Sequence, residues 1–113
     1  MSRDYRLYLD DMLSSCTKAL SYAQDRSFDV FLADQMVVDA ILLNLQVIGE
    51  AAGHLPEELR ERYPDVPWRK IVGLRNVIAH DYFALDRRII WETVQNDLPT
   101  LLSQLQRILA DQS

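Results

Sequence analysis

This chain has little with which to staple itself. Its only cysteine, Cys16, has no partner for an intrachain disulfide, and its two histidines, His54 and His80, belong to no Cys/His cluster with zinc-ligand spacing. Those absences point to a reducing compartment, hence the cytoplasm, and to a fold that needs neither metal nor cofactor. Only three glycines and four prolines occur in 113 residues, and they form no glycine-rich phosphate loop or low-complexity linker. Long apolar runs are missing too. None exceeds the length of Ala40 to Leu43, far too short to cross a bilayer, and the opening Ser2-Arg3-Asp4-Tyr5-Arg6 lacks the apolar centre of a signal peptide, so no membrane is expected. An excess of positive charge is also absent. The formal net charge is -5, which disfavours a protein that coats nucleic acid through many phosphate contacts. Charge is nonetheless unevenly placed. Residues 68 to 90 carry Arg69, Lys70, Arg75, Arg87 and Arg88 against Asp81 and Asp86, a local +3 that leaves -8 elsewhere and is compatible with a transient RNA substrate. The length suits one domain, residues 1 to 113, able to bury a core yet small enough to gain from self-association.

What is present is helical periodicity. Apolar residues at 5, 9, 12, 13, 16, 19, 20 and 23 form one stripe of a long helix from Tyr5 to Ala23. Ser27 can cap a short turn from Phe28 to Leu32, with Asp29 at its positive end. From Asp34 to Ala52 apolar residues cover nearly the whole circumference, so one partner helix cannot bury them all and this helix is central. Its polar exceptions, Asp39, Gln46 and Glu50, follow steps of seven and four and make a narrow stripe, either a solvated edge or the wall of a functional cleft. Gly53 can stop this helix, and His54 at the loop reads as an exposed polar residue. Pro56 with Glu57 and Glu58 starts a short helix ending near Tyr63, and Pro67 starts another through Ala79. Asp86 caps a last helix that Pro99 should kink or interrupt. With no alternating strand pattern, the expected fold is all-α: two long helices, two shorter ones and a long or kinked C-terminal helix.

Gly73 to Tyr82 stands out because it sets Arg75, Asn76, His80 and Tyr82 in an otherwise apolar run. Asn76 and His80 lie one turn apart, Arg75 can swing toward the imidazole, and Tyr82 lies just beyond the turn. Histidine moves protons near neutral pH, and arginine holds phosphate through a planar fork. That pair suits cleavage of RNA, whose 2'-hydroxyl is an internal nucleophile: His80 would take or give the proton while Arg75 balances charge on the phosphate, without a metal. Acid and base together are easier with two histidines, which a two-fold dimer would supply. A satisfied histidine between helices, a packed Tyr82 and a helix-end Asn76 are the competing readings of the same residues.

Residues Tyr8 to Leu109 resemble the HEPN superfamily, and within it the HepT-like toxins of HepT and MntA toxin-antitoxin systems. The resemblance is carried by Ile48-Gly49-Glu50-Ala51-Ala52, Leu55-Pro56, Tyr63-Pro64, Val66-Pro67-Trp68, and above all Gly73-Leu74-Arg75-Asn76 followed by His80-Asp81-Tyr82-Phe83. Arg75, His80 and Tyr82 match the family's R-x4-H-x-Y pattern. The resemblance implies an antiparallel helical bundle that forms a homodimer, with the two motifs meeting in a cleft that cleaves RNA without metal. Arg75 and His80 would be catalytic and Asn76 supporting, while Glu50, on the polar stripe, would face the cleft and orient Arg75. The resemblance further implies an MntA-like nucleotidyltransferase antitoxin that uses ATP to attach AMP to Tyr82, adding bulk and charge where the RNA phosphate would sit. Relatives often follow Tyr-Phe with glycine, whereas this chain has Ala84, which a left-handed backbone would strain. The alternative function is a non-catalytic helical module that binds a nucleotide or partner protein in the same cleft, and the plainest is a structural dimer with a polar seam.

Overall fold

The computed structural model describes residues 3–112, and it is helical almost throughout, with no strand among the described residues. Helix α1, Tyr5–Ala23, starts where Asp4 accepts a hydrogen bond from the Arg6 N–H. Its stripe buries Leu9, Met12, Cys16, Ala19 and Ala23. Ser27 caps the short α2, Phe28–Ala33, by accepting from the Val30 N–H, and Asp34 caps α3, Gln35–Gly53, by accepting from Val37. Such side-chain caps typically contribute about 1 kcal/mol each.

Helix α3 is the centre of the molecule. Val38, Ile41, Leu42, Leu45, Ile48, Ala51 and Ala52 are buried along it, because α1 packs on one side and α5 on another. By length and composition this helix would pass for a membrane span, but half of its apolar window is buried inside the protein, which marks it as a core helix. Gly53 is its last residue, and His54 follows in right-handed helical geometry, so no left-handed glycine cap ends it.

Two prolines sit one residue earlier than expected. Pro56 and Pro67 occupy the N-cap positions of α4, Glu57–Arg62, and α5, Trp68–Asp81, rather than their first turns. The stiff connector between them is closed by Trp68, whose indole N–H donates to the carbonyls of Arg60 (3.1 Å) and Tyr63 (3.0 Å) at the open end of α4. A 3-10 turn, Tyr82–Ala84, follows α5 and leads to α6, Arg87–Glu92, capped by Asp86.

The break expected at Pro99 is spread over the residues before it. Thr93–Asp97 forms a π-helical segment in which the Leu98 N–H reaches the Thr93 carbonyl, and α7, Leu98–Asp111, then resumes regular geometry. Pro99 has no N–H to offer and its ring would crowd the carbonyl four residues back, so widening the preceding turn lets the helix pass it. Against this segment lies Cys16, whose thiol donates to the Leu98 carbonyl (3.4 Å). Burial pushes its pKa up to about 12, so Cys16 is a core residue and a poor nucleophile.

Candidate functional site

Helices α3 and α5 run antiparallel, since Gly49 lies against Ile71 and Arg75 while Asp39, ten residues earlier, meets Tyr82 beyond the end of α5. Their closeness depends on Gly49. A Cβ there would lie 2.8 Å from the Arg75 backbone nitrogen and 2.9 Å from the Ile71 carbonyl oxygen, atoms that cannot move without parting the helices. A glycine inside a helix sacrifices intrinsic stability, and here the close approach requires it.

That approach brings the neighbouring Glu50 to Arg75. Glu50 Oε2 lies 2.9 Å from Arg75 Nε in an ion pair, and Arg75 Nη1 donates to Asn76 Oδ1 at 3.3 Å. The other carboxylate oxygen, Oε1, lies 3.4 Å from His54 Nε2. His54 is exposed as expected but ordered, stacked on the Tyr8 ring with centroids 4.8 Å apart. An open cleft of about 390 Å³ lies over these groups, lined by Tyr8, Leu43, Gln46, Glu50, His54 and Arg75 among others.

The second cluster sits at the far end of α5. The Tyr82 hydroxyl donates to Asp39, which also accepts from Gln35 Nε2 at 2.8 Å. Arg87 holds Gln35 through its Oε1 (2.5 Å) and reaches the Leu32 carbonyl (3.1 Å). The Tyr82 hydroxyl, followed by Gln35, holds the Asp39 carboxyl below the usual carboxylate range, while the bond to Asp39 raises the Tyr82 phenol above its ordinary value of 10.0. The stability carried by the depressed Asp39 is present above its unfolded pKa and is lost as pH falls through the folded one. That carried by Tyr82 is lost only as pH rises through its raised value, so the bond spans the neutral range.

His80 occupies the last turn of α5 between the two clusters, exposed, and its ring makes no hydrogen bond among the described residues. The swing of Arg75 toward His80 is not what a single chain shows, because Glu50 draws the guanidinium sideways onto α3. Glu50, Arg75 and Asn76 are thus brought together, as are Asp39 and Tyr82, with His80 on the helix between them. Ala84 is unstrained, since Asp25 is the only described non-glycine residue with positive φ. Sequence reasoning missed the partners: Gly49 as the contact point, His54 as Glu50's neighbour, and Asp39 and Arg87 around Tyr82. The stripe of Asp39, Gln46 and Glu50 was the available signal for Asp39, and its step of four, continued from Glu50, for His54.

Fold and site together define an all-helical bundle presenting an Arg, His and Tyr motif along one solvent-facing helix. Residues 12–108 match the family described as Ribonuclease HepT-like, and the chain belongs to that family. A protein of Caldanaerobacter subterraneus subsp. tengcongensis named as a "Putative RNase" is 38% identical over 92% of this chain and 93% of its own length. One of Methanocaldococcus jannaschii, also named as a "Putative RNase", is 33% identical over 92% and 95%. The "Probable ribonuclease HepT" of Thermococcus cleftensis is 30% identical over 96% and 98%. No solved structure matches the chain.

Proposed function

We propose that this protein is the toxin of a toxin-antitoxin system, an endoribonuclease that cleaves RNA without a metal ion in a cleft between two copies of the chain. The observation that carries this reading is Arg75, paired with Glu50 beside Asn76 on the helix whose last turn holds His80, within a chain of a ribonuclease family. A guanidinium paired with a carboxylate near Nε and giving one Nη1 N–H to Asn76 still has Nη2 for a phosphate. His80, exposed and unengaged by the described residues, takes the proton from the 2'-hydroxyl or gives one to the leaving oxygen, and Arg75 offsets the charge that builds on the phosphate.

The dimer reading is supported by the exposed stripe of α3. Met36 and Leu43, 83% and 62% exposed, alternate with Asp39, Gln46 and Glu50 at steps of three and four, the spacing of a helix-to-helix seam. Whatever covers Leu43 also closes over Glu50 and Arg75, and a two-fold copy would bring a second His80 with it. Tyr82, exposed in the turn beside this face, is the residue on which a nucleotidyltransferase antitoxin places AMP, and the added phosphodiester obstructs RNA binding.

Purified protein in excess chelator should cleave RNA to cyclic phosphate ends. His80→Ala should abolish cleavage with the helical circular dichroism unchanged. Full cleavage by that variant refutes the catalytic assignment, and binding that needs Arg75 without any cleavage favours the non-catalytic module instead.

A further inference from the structure

Attaching a phosphoryl group to Tyr82 requires its phenolic proton to leave, and the position of Asp39 answers where it goes. The hydroxyl donates directly to Asp39, and with the phenol's pKa raised it is neutral near pH 7, so it is a weak nucleophile until a base takes the proton. As the bond to phosphorus forms, the phenolic oxygen becomes far more acidic, and a carboxylate already hydrogen-bonded to it is placed to accept the proton at that moment. A kinase supplies such an aspartate to its substrate's hydroxyl from the enzyme side, whereas here the chain being modified carries the carboxylate itself.

From the hydrogen bond between Tyr82 and Asp39 we infer that Asp39 is the general base for adenylylation of Tyr82, an inference that rests on Tyr82 being the modified residue. Tyr82 Oη forms a bond to the α-phosphorus of ATP, the bond between that phosphorus and the bridging oxygen breaks, pyrophosphate leaves, and the Oη proton passes to Asp39. Nucleotide and its magnesium arrive with the transferase. Gln35 donates to Asp39 and so fixes the carboxylate's orientation, and Arg87 holds Gln35 in turn. Arg87 is also close enough to act electrostatically on both Asp39 and Tyr82, which lowers the cost of a phosphodiester appearing beside a carboxylate. Tyr22 is as exposed as Tyr82, at 37%, but no side-chain carboxylate partner is seen for it, and Tyr63 donates to Asp111 but is half-buried, so exposure and a carboxylate partner come together at Tyr82. Exposure alone therefore does not select the residue.

The test compares Asp39→Asn and Asp39→Ala with the unaltered chain, each incubated with ATP, Mg2+ and the nucleotidyltransferase of a HepT-like system, with AMP on Tyr82 followed by mass spectrometry. Asn keeps an oxygen to receive the hydroxyl but cannot hold the proton, so Asp39→Asn should slow modification at saturating ATP about a hundredfold while leaving its KM for the chain and its circular dichroism unchanged. Modification of Asp39→Asn at the unaltered rate, with Asp39→Ala slow, reduces Asp39 to positioning and overturns the inference. Equal rates in all three overturn it as well. No AMP on Tyr82 of the unaltered chain overturns the Tyr82 reading and this step with it, so the two failures are told apart.

Discussion

Glu50 meets Arg75 with both side chains about half exposed, and an ion pair in such a setting contributes only about 0–1 kcal/mol to stability. Its effect is therefore geometric: it selects one direction for a long, flexible side chain. Glu50→Gln should leave the melting temperature nearly unchanged and lower the kcat/KM of RNA cleavage about tenfold to a hundredfold, as misplacement of a phosphate-holding group does. A variant equal to wild type in both measurements would show that Arg75 needs no such support. The residue types of this site were readable in the sequence. The pairing of Glu50 with Arg75 was anticipated from the polar stripe of α3 as well, whereas the turning of Arg75 away from His80, which lies within helical reach, is decided only by the neighbouring helix.

Helices α3 and α5 approach through Gly49, and the site depends on that approach. Gly49→Ala puts a methyl group against backbone atoms of Ile71 and Arg75, which can yield only if the helices part. The gain in intrinsic helix propensity is smaller than the cost of overpacking, so the variant should lose about 1–3 kcal/mol in denaturant unfolding. Gly73, around which a new Cβ would meet nothing within 4 Å, is the internal control: Gly73→Ala should be neutral or stabilising by up to about 1 kcal/mol. Caps were legible at this scale at Ser27 and Asp86, which accept from the first turns that follow them, whereas Asp34, read as the start of α3, proves to be its cap. The π-helical segment was not. Proline predicts that a helix must adjust, but the surrounding packing decides which residues absorb the adjustment.

At the scale of the whole molecule, two of the apolar residues left uncovered, Met36 and Leu43, lie on the same α3 stripe as the site's polar ones. Leu43 is the most informative, being exposed on the helix that supplies more of the core than any other and lining the cleft beside Arg75. Leu43→Glu should turn a dimer into a monomer in analytical ultracentrifugation and remove RNA cleavage, while the monomer keeps its helical content because Leu43 supports no intrachain core. A monomeric unaltered chain that cleaves RNA would contradict the two-fold cleft. The acidic total with a basic segment from residue 68 to 90 agrees with a protein that meets RNA through a local segment rather than coating it.

Periodicity and capping chemistry by themselves determined that the chain is all helical, with a central helix from about residue 34 to 52, because helical register and the needs of helix ends are local properties. The R-x4-H-x-Y pattern and its companions pointed to the family in the same way. Only the tertiary structure decided that Gly49 is a contact point, that Arg75 turns to Glu50 rather than to His80, and that Tyr82 hands its hydroxyl to Asp39. Each of those pairs joins residues more than twenty positions apart, and their meeting depends on how α5 lies along α3, a relation that no short window of sequence contains.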